Sequence, residues 1–433
     1  MPRLAIIDHV VSSGGVERFL HGLVGGLLET PRAAAWEILV LLGEHGSDGR
    51  VVTWPVDVAA SNLRVDFLKP AGSGRLSGLR LKGRVLGIPG SGRLLRAVPD
   101  VVSRSGMRWA KEFAGDPRVL VERTCRQGDF DVAYFSYPYL MRVPALEQPI
   151  VCTPHDFNFK HFDTLEPRTR RRIEREMPGW MAMSRGIVVS SETVAKEACE
   201  YYPSSRGKVH VVPLGIPGSG PAPTPAELDS CRLRHRLPPR FLLVVGWLVS
   251  HKNQRVVLEA LGSLRDVIPD LGLVCVGPNT DMLQPDFSAR RTSYAQSLVC
   301  AVERVGLRNG RDVLGLGFVS DRDLAALYRL ATALIVPSLY EAGSFPGREA
   351  MQVGCPVAFA RIPSLEEEFG RIEGNAWLFD PQDADDLARC VISLVGSSAA
   401  AQKADKAQQL VARLFSWRQA AEGYLDVFEA ALG

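Results

Sequence analysis

No stretch of this 433-residue chain reaches eighteen consecutive apolar residues, which excludes a membrane-spanning helix. The opening MPRLAIID has no apolar signal core and runs straight into a strand, so the cytoplasm is the expected compartment. No CxxC occurs among the eight cysteines, at 125, 152, 199, 231, 275, 300, 355 and 390. Scattered, and mostly in apolar runs such as the LVCVG around Cys275, they read as reduced buried thiols rather than a disulfide framework. No short-period repeat is present, which argues against a solenoid. No strand is followed by G-x-G-x-x-G with an acid about 20 residues on, which removes the dinucleotide-dependent oxidoreductases.

What is present is a globular composition, 46% hydrophobic and 23% charged, in a chain too long for one ordinary core. Two domains are expected. The net charge of +3 is unevenly spread: residues 64–127 carry fourteen Lys and Arg against five Asp and Glu. That local +9 points to anionic company, a membrane surface reached peripherally at the inner face before nucleic acid, because aromatics are few there. A solvated basic face reads equally well.

The apolar pattern has an α/β rhythm. Leu4–Ile7 is a strand, Ser12–Gly15 a loop, and Val16, Phe19, Leu20, Leu23, Val24, Leu27 and Leu28 form a helical stripe. Further strands are expected at 132–135, 150–153, 187–190 and 209–212. Residues 215–226, GIPGSGPAPTPA, read as a linker. Beyond it strands recur at 241–246, 271–277, 312–317, 332–337, 355–360 and 375–380. Short apolar runs alternating with helices predict parallel sheets covered on both faces. The fold class is therefore α/β, two doubly wound Rossmann-like domains: 1–220, and 221–415. In the tail, Ser416 and Gln419 fit a capping box, and Trp417, Ala421, Tyr424, Leu425, Phe428 and Leu432 form a stripe that could pack on either domain.

In such domains ligands bind beyond the carboxyl ends of strands, so the residues there are the candidates. Gly14 and Gly15 after the first strand allow close approach of a phosphate, although a tight turn also needs glycine. His155, in VCTPHDFNFKH, follows a strand and suits a hydrogen bond to a hydroxyl or carbonyl; its six-residue spacing from His161 fits no zinc geometry. Lys252 sits just before a helix, where a cation opposes the macrodipole unless an anion lies between them. In LYEAGSFPGREAMQVGCPV, Glu341 and Glu349 flank a loop whose Gly343 and Ser344 leave backbone donors free for a ligand. Acids beside a phosphate repel it unless they bind hydroxyls, and a sugar nucleotide satisfies both demands. No Asp-x-Asp stands just after a strand, where two carboxylates could share a divalent cation. Asp129/Asp131 precede one, and Asp321/Asp323 and Asp383/Asp385 look like helix-start acids, so no metal is expected.

Glu341 and Glu349 with seven residues between them, followed by Ala350-Met351 and Gly354-Cys355-Pro356-Val357, resemble the signature of retaining glycosyltransferases of the GT-B fold, family 4. GGVERFL (14–20), TPHDF (153–157), VVPLGI (211–216), HKN (251–253), GFVSDRDLAALYRLATALIVPSLYE (317–341) and FSWRQAAEGYL (415–425) are similar too. The resemblance implies that the first domain binds the acceptor, the second the nucleotide sugar, and that helix 416–433 crosses back to the first. It implies that Gly14 and Gly15 meet the diphosphate, His155 touches the donor sugar, and Lys252 neutralises the leaving group. Glu341 would hold the transferred sugar and Glu349 the ribose, Val319 would meet the base, and Gly343, Ser344 and Phe345 would line the donor. The implied substrates are a GDP- or UDP-linked sugar, with mannose favoured, and a glycan or lipid-linked acceptor in cell-surface polysaccharide synthesis, with no cofactor. Trp247 stands where many relatives carry an arginine, the loop reads AGS where GFG is common, and Arg348 replaces a small apolar residue. The rivals are a non-catalytic sugar-nucleotide binder and a GT-B epimerase or phosphorylase.

Overall fold

The computed structural model describes residues 1–8, 15–43, 62–68, 117–127, 130–139, 141–216, 222–395 and 398–433. Seven strands form one sheet: β1 (Arg3–Asp8), β2 (Glu37–Gly43), β3 (Leu63–Leu68), β4 (Val132–Phe135), β5 (Ile150–Cys152), β6 (Gly186–Val189) and β7 (Val209–Val211). Their order is β3-β2-β1-β4-β5-β6-β7, with every pairing parallel. Six more form the second: β8 (Arg240–Val245), β9 (Leu271–Val276), β10 (Val313–Gly315), β11 (Ala333–Val336), β12 (Val357–Ala360) and β13 (Trp377–Phe379). Their order is β10-β9-β8-β11-β12-β13, again parallel. Both are doubly wound. Helices cover both faces, which is why Leu4–Ile7 and Leu271–Val276 are apolar without alternation and fully buried. In each sheet the order reverses once, between β1 and β4 and between β8 and β11, and a ligand crevice opens at that reversal.

The helix Trp417–Leu432 settles on the first sheet, where Trp417, Ala421, Tyr424, Leu425 and Phe428 join the core beneath the helix Gly15–Glu29. The Ser416 hydroxyl accepts the Gln419 N–H at 3.1 Å. Tyr424 bonds Thr153 at 3.0 Å, and Arg32 meets Glu422, Asp426 and Glu429. Gly22 is required by this packing, since a Cβ there would lie 1.9 Å from the Trp417 ring. Leu432 corrects the expected stripe: it is 43% exposed, and Ala420, Val427 and Ala431 are buried instead. The expected linker also ends early, because Thr224 caps a helix Pro225–Arg234 through a capping box with Glu227. Residues 217–221 of that linker, Gly14, and most of the basic stretch 64–127 lie outside the described residues. Among the described residues no helix is long and apolar enough to cross a membrane.

Candidate active site

At the reversal of the second sheet, β8 leads through Gly246 to a turn Ser250–Lys252, then Asn253 in the left-handed region (φ 51°) and the helix Gln254–Leu264. β11 leads to Ser338 and Glu341. The two loops are tied together by Leu339 N–H donating to the His251 carbonyl at 2.7 Å. They place Lys252 Nζ on Glu341 Oε1 in an ion pair, and Ser338 Oγ donates to the same oxygen at 2.7 Å. His251 is buried, and that burial, with Lys252 adjacent, brings its pKa down to about 4.

Residues on either side of Glu341 reach the first domain. Tyr340 Oη donates to Glu197 at 2.6 Å and accepts the Phe157 N–H at 3.0 Å. Ser190 Oγ donates to the Ala342 carbonyl at 3.0 Å, while Ser364 Oγ donates to the carbonyl of Glu341 at 2.6 Å. The Glu341 backbone is thus fixed by both domains.

Gly343 has φ +149°, a conformation side chains rarely adopt. Ser344 departs from the expectation of free loop donors: its N–H donates to Glu368 Oε2 at 2.9 Å, and its Oγ caps the helix Phe345–Gln352 by accepting from Gly347 N–H at 3.0 Å. Arg348, buried, donates to Glu368 Oε1 at 2.7 Å and to the Leu214 carbonyl at 2.9 Å, and its guanidinium lies 4.3 Å from the Phe415 ring centroid. Phe345 leans on Trp417, ring centroids 6.2 Å apart.

Glu349, one turn into that helix, meets two groups that the sequence did not single out. Arg18, on the helix Gly15–Glu29 of the first domain, donates to Oε1 at 2.5 Å and to Asp321 at 2.9 Å, and the buried Tyr328 donates to Oε2 at 2.8 Å. Burial raises the Glu349 pKa, with Arg18 pulling it back. Burial opposes the charge on Arg18, but Glu349 and Asp321 outweigh it and hold its pKa up.

In the first domain Gly15 opens its helix. His155 Nε2 bonds the Ser136 carbonyl at 2.7 Å, and its ring lies edge-on to Phe19 at 4.8 Å. Burial lowers its pKa to about 4, so it is neutral at pH 7. Ser136 in turn donates to the buried Asp8 at 2.9 Å. Asp156 was also missed. Its pKa is raised by burial, with Lys252 opposing and Glu341 adding, which sets this carboxyl electrostatically against the pair across the cleft. Val319 packs half-buried on the second core beside Phe318, 58% exposed, and Trp247 is 47% exposed.

A cavity of about 630 Å³ lies between the helix Gly15–Glu29, residues 321–328 and the hinge around Ile216, Phe415 and Trp417. Arg18 and Glu349 line it; Lys252, Glu341 and His155 do not. One described group has metal-ligand composition, Cys231, His235 and Asp323, with ligand atoms within 4.8 Å of one another. Arg234 already holds both oxygens of Asp323, at 2.6 and 2.8 Å, and the group shares no residue with the site.

Two doubly wound domains with paired lysine, arginine and glutamates in the cleft define a GT-B type of sugar-transferring enzyme. Comparison with known proteins agrees. The Glycosyltransferase Family 4 model matches residues 58–217 and the Glycosyl transferases group 1 model residues 227–410, together most of the chain. The MMP alpha-(1->4)-mannosyltransferase of Mycolicibacterium hassiacum is 26% identical over 322 residues, 71% of this chain and 72% of that protein. Sucrose-phosphate synthase from Thermosynechococcus elongatus superposes with TM-score 0.65 at 18% identity, covering 99% and 98% of the two chains. Anabaena HepE in complex with UDP and glucose gives TM-score 0.62 at 16% identity, covering 99% and 100%. This chain belongs to the family 4 glycosyltransferases of the GT-B fold, enzymes of glycan synthesis.

Proposed function

We propose that the protein is a retaining glycosyltransferase that moves a sugar, mannose foremost, from a GDP- or UDP-linked donor to a hydroxyl of a glycan or lipid-linked acceptor. The observation that carries this reading is the Lys252–Glu341 pair at the reversal of the second sheet. On donor binding Lys252 turns from Glu341 to the diphosphate, and Glu341 takes hydroxyls of the sugar. The bond from the anomeric carbon to the diphosphate oxygen breaks, the acceptor oxygen bonds that carbon from the same face, and its proton passes to the departing diphosphate. Rate comes from positioning and from charge stabilisation of the leaving group. Neutral His155 serves as a hydrogen-bonding group to the sugar. Mannose is placed first because a relative over most of the chain is a mannosyltransferase.

The test is a panel of nucleotide sugars in thermal shift, where a donor at 100 times its Kd stabilises by about 2.7 kcal/mol, followed by NMR of the product's anomeric configuration. Lys252→Ala should then lose roughly 2 to 4 kcal/mol of transition-state stabilisation, by analogy with a lost oxyanion donor. No stabilising donor, an inverted product, or full turnover in that variant each overturns the reading.

A further inference from the structure

The reading above leaves the diphosphate short of positive charge. The carboxylates of Glu341, Glu349 and Asp321 are paired here with two cations, Lys252 and Arg18. His155 and His251 are neutral at pH 7, and Arg348 is spent on the buried Glu368. A nucleoside diphosphate adds two or more negative charges, and Lys252 alone cannot balance them beside those acids.

We propose that Arg18 is a donor-exchanged cation: in the empty cleft it occupies Glu349, and when the ribose hydroxyls take its place its guanidinium turns onto the diphosphate. This rests on the functional reading given above. Arg18 and Glu349 line one cavity, so a ribose entering it meets the carboxylate where the guanidinium now sits. Glu349 keeps Tyr328 on its other oxygen throughout, so the carboxylate stays oriented during the exchange. The diphosphate is linked directly to the ribose, so the guanidinium need only swing over its own side-chain length. Arg18 also stands a single turn from Gly15, which opens its helix, and five donors in a planar fork suit it to bridge two phosphates. Arg18 thereby acts from the acceptor domain on the donor, and closure and charge neutralisation become one event.

The exchange makes opposite demands on two probes, guanosine and GDP, with uridine and UDP as the second pair. Removing Arg18 frees Glu349 for a ribose, so the nucleoside should bind Arg18→Gln about threefold more tightly. The same variant should bind the diphosphate about tenfold more weakly, the loss of one charged hydrogen-bonding partner. Ligand-observed NMR titration reads both. Arg18→Lys, which keeps charge without the fork, should fall between wild type and Arg18→Gln for the diphosphate, and serves if the glutamine variant does not fold. A merely structural Arg18 would move both probes in one direction, and that result overturns the inference while wild-type binding of GDP or UDP leaves the functional reading standing. If wild type binds neither diphosphate, the functional reading falls and this inference with it.

Discussion

Replacing Arg348 by methionine should destabilise the protein more than any single change at the cleft surface. The Arg348 and Glu368 side chains are 5% and 4% exposed, with Nε and Oε1 2.7 Å apart. Methionine keeps the stem and removes the charge, which strands a buried carboxylate that keeps the Ser344 N–H at 2.9 Å. Breaking a buried pair from one side costs about 3 to 5 kcal/mol. The Leu214 carbonyl also loses a donor, but Leu214 is half-buried and water recovers part of that. The stacking on Phe415 is worth up to about 2 kcal/mol when desolvated and overlaps the pair energy, so roughly 3 to 5 kcal/mol stands as the total. Arg348→Met with Glu368→Gln removes the stranded charge and keeps an acceptor for Ser344, so about 2 kcal/mol or more should return. Urea unfolding, with midpoint and slope followed separately, measures this. A loss below about 1 kcal/mol in the single variant, or no recovery in the double one, would refute the reasoning.

Glu349→Ala should weaken binding of the nucleoside diphosphate product and raise donor KM, because the ribose contact changes little during reaction. Glu341→Gln should lower kcat most, because its contacts change as the anomeric carbon develops charge, and product titration by calorimetry should find it near wild type; equal affinity losses in the two variants would reverse or erase these roles. His155 and His251 both fall to about 4 through burial, so between that value and the ordinary 6.5 the unfolded chain binds more protons than the folded one. Stability from these two groups should therefore fall as pH drops from 6.5 towards 4 and stay level above it, with His155→Gln flattening part of the slope; a rise on acidification contradicts the assignment.

Eleven of the thirteen strands among the described residues could be placed from apolar runs bounded by glycine, proline or aspartate, as in FLLVVG and LGLVCVG. β3 escaped because it is an edge strand, LRVDFL, whose Arg64 and Asp66 pair with each other and break the run. β2 escaped although EILVLLG is apolar, since a strand is recognised by its neighbours and the chain after it gives little pattern. Lys252 and Glu341 were legible because each follows a strand at a turn. Arg18 was not, although it sits inside GGVERFL: it lies 331 residues from Glu349, and only the packing of one domain on the other joins them. Ser344 shows the opposite error. Loop composition suggested free donors, but a serine before Phe-Pro-Gly is also a helix cap, and the cap won.

The two glutamates stand close in sequence, yet one loop and one helical turn give them different partners. Glu341 ends a β11 loop that both domains grip, through Tyr340, Ala342 and Ser364. Glu349 projects from the helix that Ser344 caps and meets Arg18 of the opposite domain. Each acid is paired with a cation, Glu341 with Lys252 and Glu349 with Arg18. On the reading proposed above, a sugar nucleotide brings hydroxyls for the acids and phosphates for the cations, so each group that parts from its present partner meets a new hydrogen-bonding one. A ligand with hydroxyls alone would strand the cations, and one with phosphates alone would strand the acids. A cleft that works as proposed would select for both groups on one molecule through charge as well as through shape.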